Sequence, residues 1–74
     1  MLYRRRNKMP FVSIKMLEGR TKEQKKNLIE SITKSVAESL NIDKEAVWVV
    51  VEDFPKDEWG LGGELASEKI KAKR

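Results

Sequence analysis

Residues 11–40 read FVSIKMLEGRTKEQKKNLIESITKSVAESL and contain two different hydrophobic periods. Apolar and polar side chains alternate along residues 11–17, which is the pattern of a strand with one buried face. After a break at residues 18–20, apolar side chains recur every three or four positions, as in a helix with one buried stripe. The members of that stripe are Leu28, Ile29, Ile32, Val36 and Leu40. The pattern predicts a strand followed by an amphipathic helix.

Both ends of this helix carry local signals. Thr21 and Gln24 fit a capping box, in which the threonine hydroxyl accepts from the Gln24 amide and the glutamine side chain reaches back to the Thr21 backbone. Asn41 is suited to the left-handed conformation that commonly ends a helix. We therefore predict a helix over residues 21–40.

A second strand is predicted over residues 46–51, AVWVVV, which are apolar without alternation. Such a run is typical of a strand that is buried on both faces, as in a parallel sheet. A strand, a helix and a strand of these lengths form a β-α-β unit, which makes the predicted fold class α+β. One helix covers only one face of a two-stranded sheet. Trp48 and Val50 point away from that face, so we expect another copy of the chain to cover them.

The 74 residues suffice for one small domain. We place it at residues 10–67, between a basic extension at 1–9 and a basic tail at 68–74. The chain has no cysteine and no histidine, which excludes disulfides, thiolate chemistry and histidine-based triads. The carboxylates lack the spacing of a metal site, so none is predicted. No apolar run approaches the ~20 residues that span a bilayer, and the expected location is the cytoplasm.

The basic charge is concentrated at the two ends of the chain. The whole sequence has a net charge of +4, yet residues 10–67 hold eight basic and eleven acidic side chains, a net charge of −3. A domain that binds nucleic acid through its fold usually carries a basic stripe on that fold. The sequence therefore argues against a nucleic-acid or membrane partner for the domain, although the tails alone could hold anionic surfaces weakly.

Several motifs occur together at a characteristic spacing. Pro10 precedes the first strand, residues 16–21 read MLEGRT, residues 23–25 read EQK, and residues 59–65 read WGLGGEL. Together they resemble the 4-oxalocrotonate tautomerase family, without a gap from Pro10 to about Ser67. The resemblance implies a β-α-β fold with a short C-terminal hairpin. It also implies a homohexamer built as a trimer of dimers, a small enol or keto acid as substrate, and tautomerisation without a cofactor.

The resemblance also implies site residues. In the family the amino-terminal proline is the general base, which falls on Pro10 here, and an arginine that binds a substrate carboxylate falls on Arg20. The backbone amide of Leu17 lines the family site, and Trp59 matches an aromatic residue that keeps the pocket apolar. The chemistry is consistent with this, because proton transfer next to a carbonyl needs a neutral base near pH 7. Burial and a nearby cation both lower the pKa of an amine.

Trp48 departs from the family pattern. The name-giving enzyme has a second arginine there, which polarises the carbonyl end of the substrate, whereas the indole of tryptophan donates only one hydrogen bond. Losing a charged electrophile costs a few kcal/mol of transition-state stabilisation. The expected substrate is therefore smaller or more apolar than the dicarboxylate of that enzyme. Packing in the sheet or at an interface is the alternative role for Trp48.

The nine residues before Pro10 are a second departure. As written, the Pro10 nitrogen belongs to the Met9–Pro10 amide and has no basic lone pair. Either Met9 is the true start and its removal frees Pro10, or the extension is retained and the proline is silent. The first alternative predicts an isomerase that interconverts the enol and keto forms of a small 2-hydroxydienoate or related enol acid. The second predicts a non-catalytic oligomer whose basic tails bind nucleic acid or anionic surfaces.

Overall fold

A computed structural model of the chain describes residues 9–70. The chain forms strand β1, helix α1, strand β2, a two-stranded hairpin and a short final helix. Their bounds are β1 Phe11–Leu17, α1 Lys22–Leu40, β2 Trp48–Phe54, β3 Gly60–Leu61, β4 Glu64–Leu65 and α2 Ala66–Ile70. Single 3-10 turns, Lys44–Ala46 and Lys56–Glu58, precede and follow β2. The predicted β-α-β arrangement is confirmed.

Strands β1 and β2 pair in parallel, with Phe11 opposite Trp48 and Leu17 opposite Phe54. The bounds predicted for β1 are confirmed. Those predicted for β2, residues 46–51, are wrong at both ends, since the strand starts two residues later and extends to Phe54. Ala46 instead belongs to a 3-10 turn whose start is capped by Asp43 Oδ1, which accepts from the Glu45 N–H at 2.9 Å.

The predicted ends of α1 are confirmed. The Gln24 N–H donates to Thr21 Oγ1 at 3.0 Å, and the Thr21 N–H donates to Gln24 Oε1 at 2.9 Å, which completes the capping box. Asn41 has φ 56° and ψ 51°, the left-handed conformation, and its N–H donates to the last turn of the helix. These contacts fix where α1 begins, directly after the turn that leaves β1.

The two faces of the β1–β2 sheet differ in how far their side chains are buried. On the side of α1 the strand residues are half-buried; these are Val12, Ile14, Met16, Val49 and Val51. On the opposite side Phe11, Trp48 and Val50 are 62%, 54% and 39% exposed. Within residues 9–70 only three side chains are buried, all of them alanines. The prediction that the chain leaves one sheet face uncovered is therefore confirmed for the described residues.

The hairpin β3–β4 follows the second 3-10 turn and turns at Gly62 and Gly63. These glycines have φ of 60° and 89°, a conformation that glycine adopts without strain. The Ala66 N–H donates to the Trp59 carbonyl at 2.8 Å, and Ala66 is fully buried.

Helix α2 crosses residue 67, where we predicted the domain to end. Most of the two predicted basic segments lies outside the described residues. No helix in residues 9–70 is long and apolar enough to cross a membrane.

Candidate active site

Pro10 lies at the end of the sheet where β1 begins. Its carbonyl oxygen accepts a hydrogen bond from the Trp48 N–H at 3.0 Å. Pro10 is half-buried, and the preceding Met9 is 40% exposed. Trp48 starts β2 opposite Phe11, and both side chains stand on the uncovered sheet face. The predicted base and the tryptophan that departs from the family pattern are therefore neighbours.

The other predicted site residues lie at the opposite end of the sheet. The Glu18 N–H donates to the Phe54 carbonyl at 2.9 Å, which keeps β1 and β2 paired to their last residues. The ring of Trp59 meets Phe54 edge to face, with ring centroids 6.1 Å apart and planes at 65°. Since Phe54 is opposite Leu17, Leu17 and Trp59 belong to the same end.

Arg20 lies three positions after Leu17, the last residue of β1. Gly19 has φ 121°, a conformation that side chains rarely tolerate, and it turns the chain from the strand toward α1. Arg20 is exposed and lines a pocket of about 260 Å³ together with Met16, Gln24, Lys25 and Leu28. Two ion pairs occur within residues 9–70, and Arg20 is in neither. Its planar guanidinium is therefore available to hold a carboxylate through two parallel hydrogen bonds.

The backbone amide of Leu17 points to the open edge of β1. The carbonyl of Pro10 and the N–H of Glu18 both bond to β2, and the peptide groups of a strand point alternately to its two sides. The Leu17 N–H, one position before Glu18, therefore points away from β2. In the described part of the chain β2 is the only strand that pairs with β1. This edge is open to a ligand or to a second strand.

One chain does not bring the five predicted site residues together. Pro10 and Trp48 are at one end of the sheet, and Leu17, Arg20 and Trp59 are at the other. At about 3.3 Å per residue, the seven residues of β1 separate the two groups by about 20 Å. A site that contains both Pro10 and Arg20 therefore needs at least two copies of the chain.

A family model described as "Tautomerase enzyme" matches residues 10–69. The chain belongs to the tautomerase family. The 2-hydroxymuconate tautomerase of Bacillus subtilis strain 168 is 43% identical over 60 residues, which cover 81% of this chain and 97% of that protein. The match with this family therefore spans almost the whole length of that relative.

Solved structures have the same fold as this tautomerase-family chain. The crystal structure of YwhB, a homologue of 4-oxalocrotonate tautomerase, matches with a TM-score of 0.76 and 42% identity, covering 80% of this chain and 97% of that one. A heterohexamer 4-oxalocrotonate tautomerase from Chloroflexus aurantiacus J-10-fl matches with a TM-score of 0.78 and 30% identity, covering 81% and 97%. The fold class and the family resemblance drawn from the sequence are confirmed.

The sequence did not point to an ion pair of Lys25, which lines the same pocket as Arg20 in this tautomerase-family domain. Lys25 Nζ, on the second turn of α1, forms an ion pair with the Asp53 carboxylate on β2. A signal was present, since Asp53 continues the every-second-residue series Val49 and Val51 that faces α1. A carboxylate in an apolar series needs a cationic partner when it is covered.

Two further observations limit where else a ligand would bind. Within residues 9–70 no group of three or more acidic side chains is placed to hold a metal ion. A larger depression, of about 660 Å³, runs between α1 and the 3-10 turn Lys44–Ala46. It contains none of the predicted site residues, and its rim carries side chains of both charges, among them Lys34, Glu38 and Glu45.

Proposed function

We propose that the chain interconverts the enol and keto forms of a small 2-hydroxydienoate or related enol acid, without a cofactor. The observation that carries this proposal is that the family match begins at Pro10, the residue whose carbonyl is held by Trp48 at the start of the sheet. An amine at this position would remove the proton from the enol oxygen. The resulting ammonium would return a proton to the conjugated carbon, so that the base is regenerated.

This chemistry requires Pro10 to be the first residue of the working enzyme. In the Met9–Pro10 peptide the nitrogen lone pair is delocalised into the carbonyl, and such a nitrogen is no base. Cleavage between Met9 and Pro10 would leave a secondary amine without altering the carbonyl that Trp48 holds. The proposal is therefore restricted to the protein that begins at Pro10.

A neighbouring copy is proposed to supply Arg20 and Leu17. The open edge of β1 can pair with the same edge of a second chain, and a two-fold axis makes that pairing antiparallel. An antiparallel pair brings the Arg20 end of one β1 beside the Pro10 end of the other. The guanidinium would then hold the substrate carboxylate next to the amine and lower the pKa of that amine. Trp59, packed on Phe54, would exclude water from the site.

The proposed assembly is a homohexamer, a trimer of such dimers. The part of the uncovered sheet face around Val50, which is 39% exposed in the single chain, would be buried between dimers. A related 4-oxalocrotonate tautomerase forms a heterohexamer, which supports six chains as an arrangement that this fold can adopt. The cytoplasmic location and the domain limits at residues 10 and 67 remain predictions.

Trp48 is the reason to propose an apolar substrate. Its indole stands beside Phe11 on the uncovered face, and two aromatic rings there provide a surface for stacking and no positive charge. An enol acid with one carboxylate for Arg20 and an apolar or aromatic remainder fits these groups. Phenylenolpyruvate and simple 2-hydroxy-2,4-dienoates have this composition.

Three samples test the proposed function. They are the intact chain, the chain that begins at Pro10, and the latter with Pro10→Ala, each checked by intact-mass spectrometry. Ketonisation of phenylenolpyruvate and of a 2-hydroxy-2,4-dienoate is followed by ultraviolet absorbance. We expect turnover by the Pro10 form, none above buffer by the intact chain, and a large loss with Pro10→Ala. Equal rates in all three samples would refute the role of the proline amine.

A further inference from the structure

Asp53 occupies an unusual place for a carboxylate. It lies on the side of β2 that faces α1, opposite Met16 in the strand register, and its side chain is 34% exposed. The residues before it on the same side, Val49 and Val51, are apolar and half-buried. A partly covered carboxylate among such neighbours is stabilised only if a cation or several donors satisfy it.

Lys25 satisfies Asp53. Its ammonium bonds to Asp53 Oδ2, and its side chain is 30% exposed. The other ion pair in residues 9–70, Lys15–Glu52, lies on the uncovered sheet face with side chains 60% and 48% exposed. Water screens the Lys15–Glu52 pair more strongly than the less exposed Lys25–Asp53 pair. The Lys25–Asp53 pair is therefore the stronger of the two electrostatic links.

Lys25 also shares a pocket with Arg20. Both line the cavity of about 260 Å³ at this end of the sheet, and Met16, the register partner of Asp53, forms part of its wall. Lys25, the partner of Asp53, thus lies in the pocket that Arg20 lines, and within residues 9–70 the carboxylate is paired with this lysine. Arginine is the better partner for a carboxylate because its planar fork makes two parallel hydrogen bonds.

We propose that Lys25 is a positioning residue, which occupies Asp53 and thereby keeps Arg20 free for the substrate carboxylate. Lys25 and Met16, the two neighbours of Asp53, line the pocket of Arg20. Without the lysine charge, Asp53 would be an unpaired carboxylate next to that pocket, and we infer that Arg20 would pair with it. Arg20 would then be occupied within its own chain and withdrawn from the substrate. The inference rests on the proposed function for its consequence in catalysis, but the pairing itself is a property of the chain.

The pairing is tested by nuclear magnetic resonance on the full chain with ¹⁵N-labelled arginine. The Arg20 Nε–H signal is assigned by its loss in Arg20→Lys, and its exchange with water is measured. We expect fast exchange in the wild type, slower exchange in Lys25→Met, and fast exchange again in Lys25→Met/Asp53→Asn. Lys26→Met is the matched control, since Lys26 is the next residue on α1 and is in neither ion pair of residues 9–70.

Kinetics of the form that begins at Pro10 test the consequence. The crystal structure of YwhB matches 80% of this chain and 97% of its own chain. The form that begins at Pro10 is therefore expected to fold. With Lys25→Met, KM for phenylenolpyruvate should rise about fivefold and kcat should stay unchanged. Fivefold is the change in affinity that corresponds to the strongest ion pairs measured on protein surfaces. Lys25→Arg and the double variant should restore KM. A structural role would instead lower kcat and the melting temperature without moving the Arg20 signal.

The outcomes separate the two proposals. If the Pro10 form lacks turnover while the Arg20 signal responds as expected, the proposed function fails and the pairing stands. If the enzyme is active but Arg20 exchange is the same in the wild type and Lys25→Met, the inference is overturned. Faster Arg20 exchange in Asp53→Asn alone would overturn it as well, because Arg20 would then already bind Asp53 in the wild type.

Discussion

The backbone N–H of Trp48 donates a hydrogen bond of 3.0 Å to the carbonyl oxygen of Pro10. This bond holds the first residue of the tautomerase match at the end of the sheet, and the same register sets Trp48 opposite Phe11. The family resemblance implies an arginine where this chain has Trp48. The residue at position 48 is thus tied by its backbone to the proposed base, and the proposed function assigns its side chain to the substrate site.

Restoring the arginine should therefore change the substrate preference. We expect Trp48→Arg to raise kcat/KM for 2-hydroxymuconate relative to phenylenolpyruvate by about 10- to 100-fold, because a cation would then face the developing charge on the carbonyl end. The measurement is the ratio of the two kcat/KM values in the form that begins at Pro10. Trp48→Phe is the control, which keeps an aromatic ring and should leave the ratio within about twofold. An unchanged ratio in Trp48→Arg would remove Trp48 from the site.

A site shared between copies should be restored by mixing two defective variants. Pro10 and Arg20 lie about 20 Å apart along β1, so we expect Pro10→Ala and Arg20→Ala subunits to complement each other. After the two are unfolded together and refolded at equal amounts, about a quarter of the sites combine an intact proline with an intact arginine. We therefore expect about a quarter of the wild-type kcat. A mixture no more active than the mean of its two components would mean that one chain supplies both residues.

Short-range patterns were sufficient for the first half of the fold. The caps at Thr21 and Asn41 depend on residues within one helical turn, and the alternation of β1 depends only on which face α1 covers. The bounds of β2 depend on contacts made by residues outside the predicted strand 46–51. Its start is displaced by the turn that Asp43 caps, and its last residue, Phe54, is held by the Glu18 N–H. No local feature of residues 46–54 contains either contact.

The uncovered sheet face should be required for assembly. Val50 is 39% exposed on that face, and Val50→Lys would place a charge where an apolar interface is proposed, at a cost of several kcal/mol. We expect the full chain with Val50→Lys to have a lower mass by light scattering coupled to size-exclusion chromatography. Leu40→Lys is the matched control, because Leu40 is 55% exposed at the end of α1 and away from the sheet face. Equal masses for Val50→Lys and the wild type would place the interface elsewhere.

The candidate site was predictable in its parts and not in its arrangement. Pro10 and Arg20 follow from the family resemblance, and their separation follows from the length of β1. The series Val49, Val51 and Asp53 indicates that Asp53 faces α1, but its pairing with Lys25 also depends on the register that sets Asp53 opposite Met16. A strand shifted by one residue would turn Asp53 to the uncovered face and leave Lys25 without this partner.

The capping box next to Arg20 gives a prediction for stability. Thr21 Oγ1 accepts from the Gln24 N–H at 3.0 Å, and Thr21→Ala would leave that donor without its partner. We expect a loss of about 1 kcal/mol in the free energy of unfolding, measured by urea denaturation at one fixed protein concentration because assembly shifts apparent stability. Thr21→Ser keeps the hydroxyl and should cost less than about 0.5 kcal/mol.

Since the cap also fixes the chain directly after Arg20, Thr21→Ala should raise KM in the form that begins at Pro10, whereas Thr21→Ser should not. Equal stability of Thr21→Ala and the wild type would show that packing of α1 on the sheet, and not its cap, determines where the helix begins.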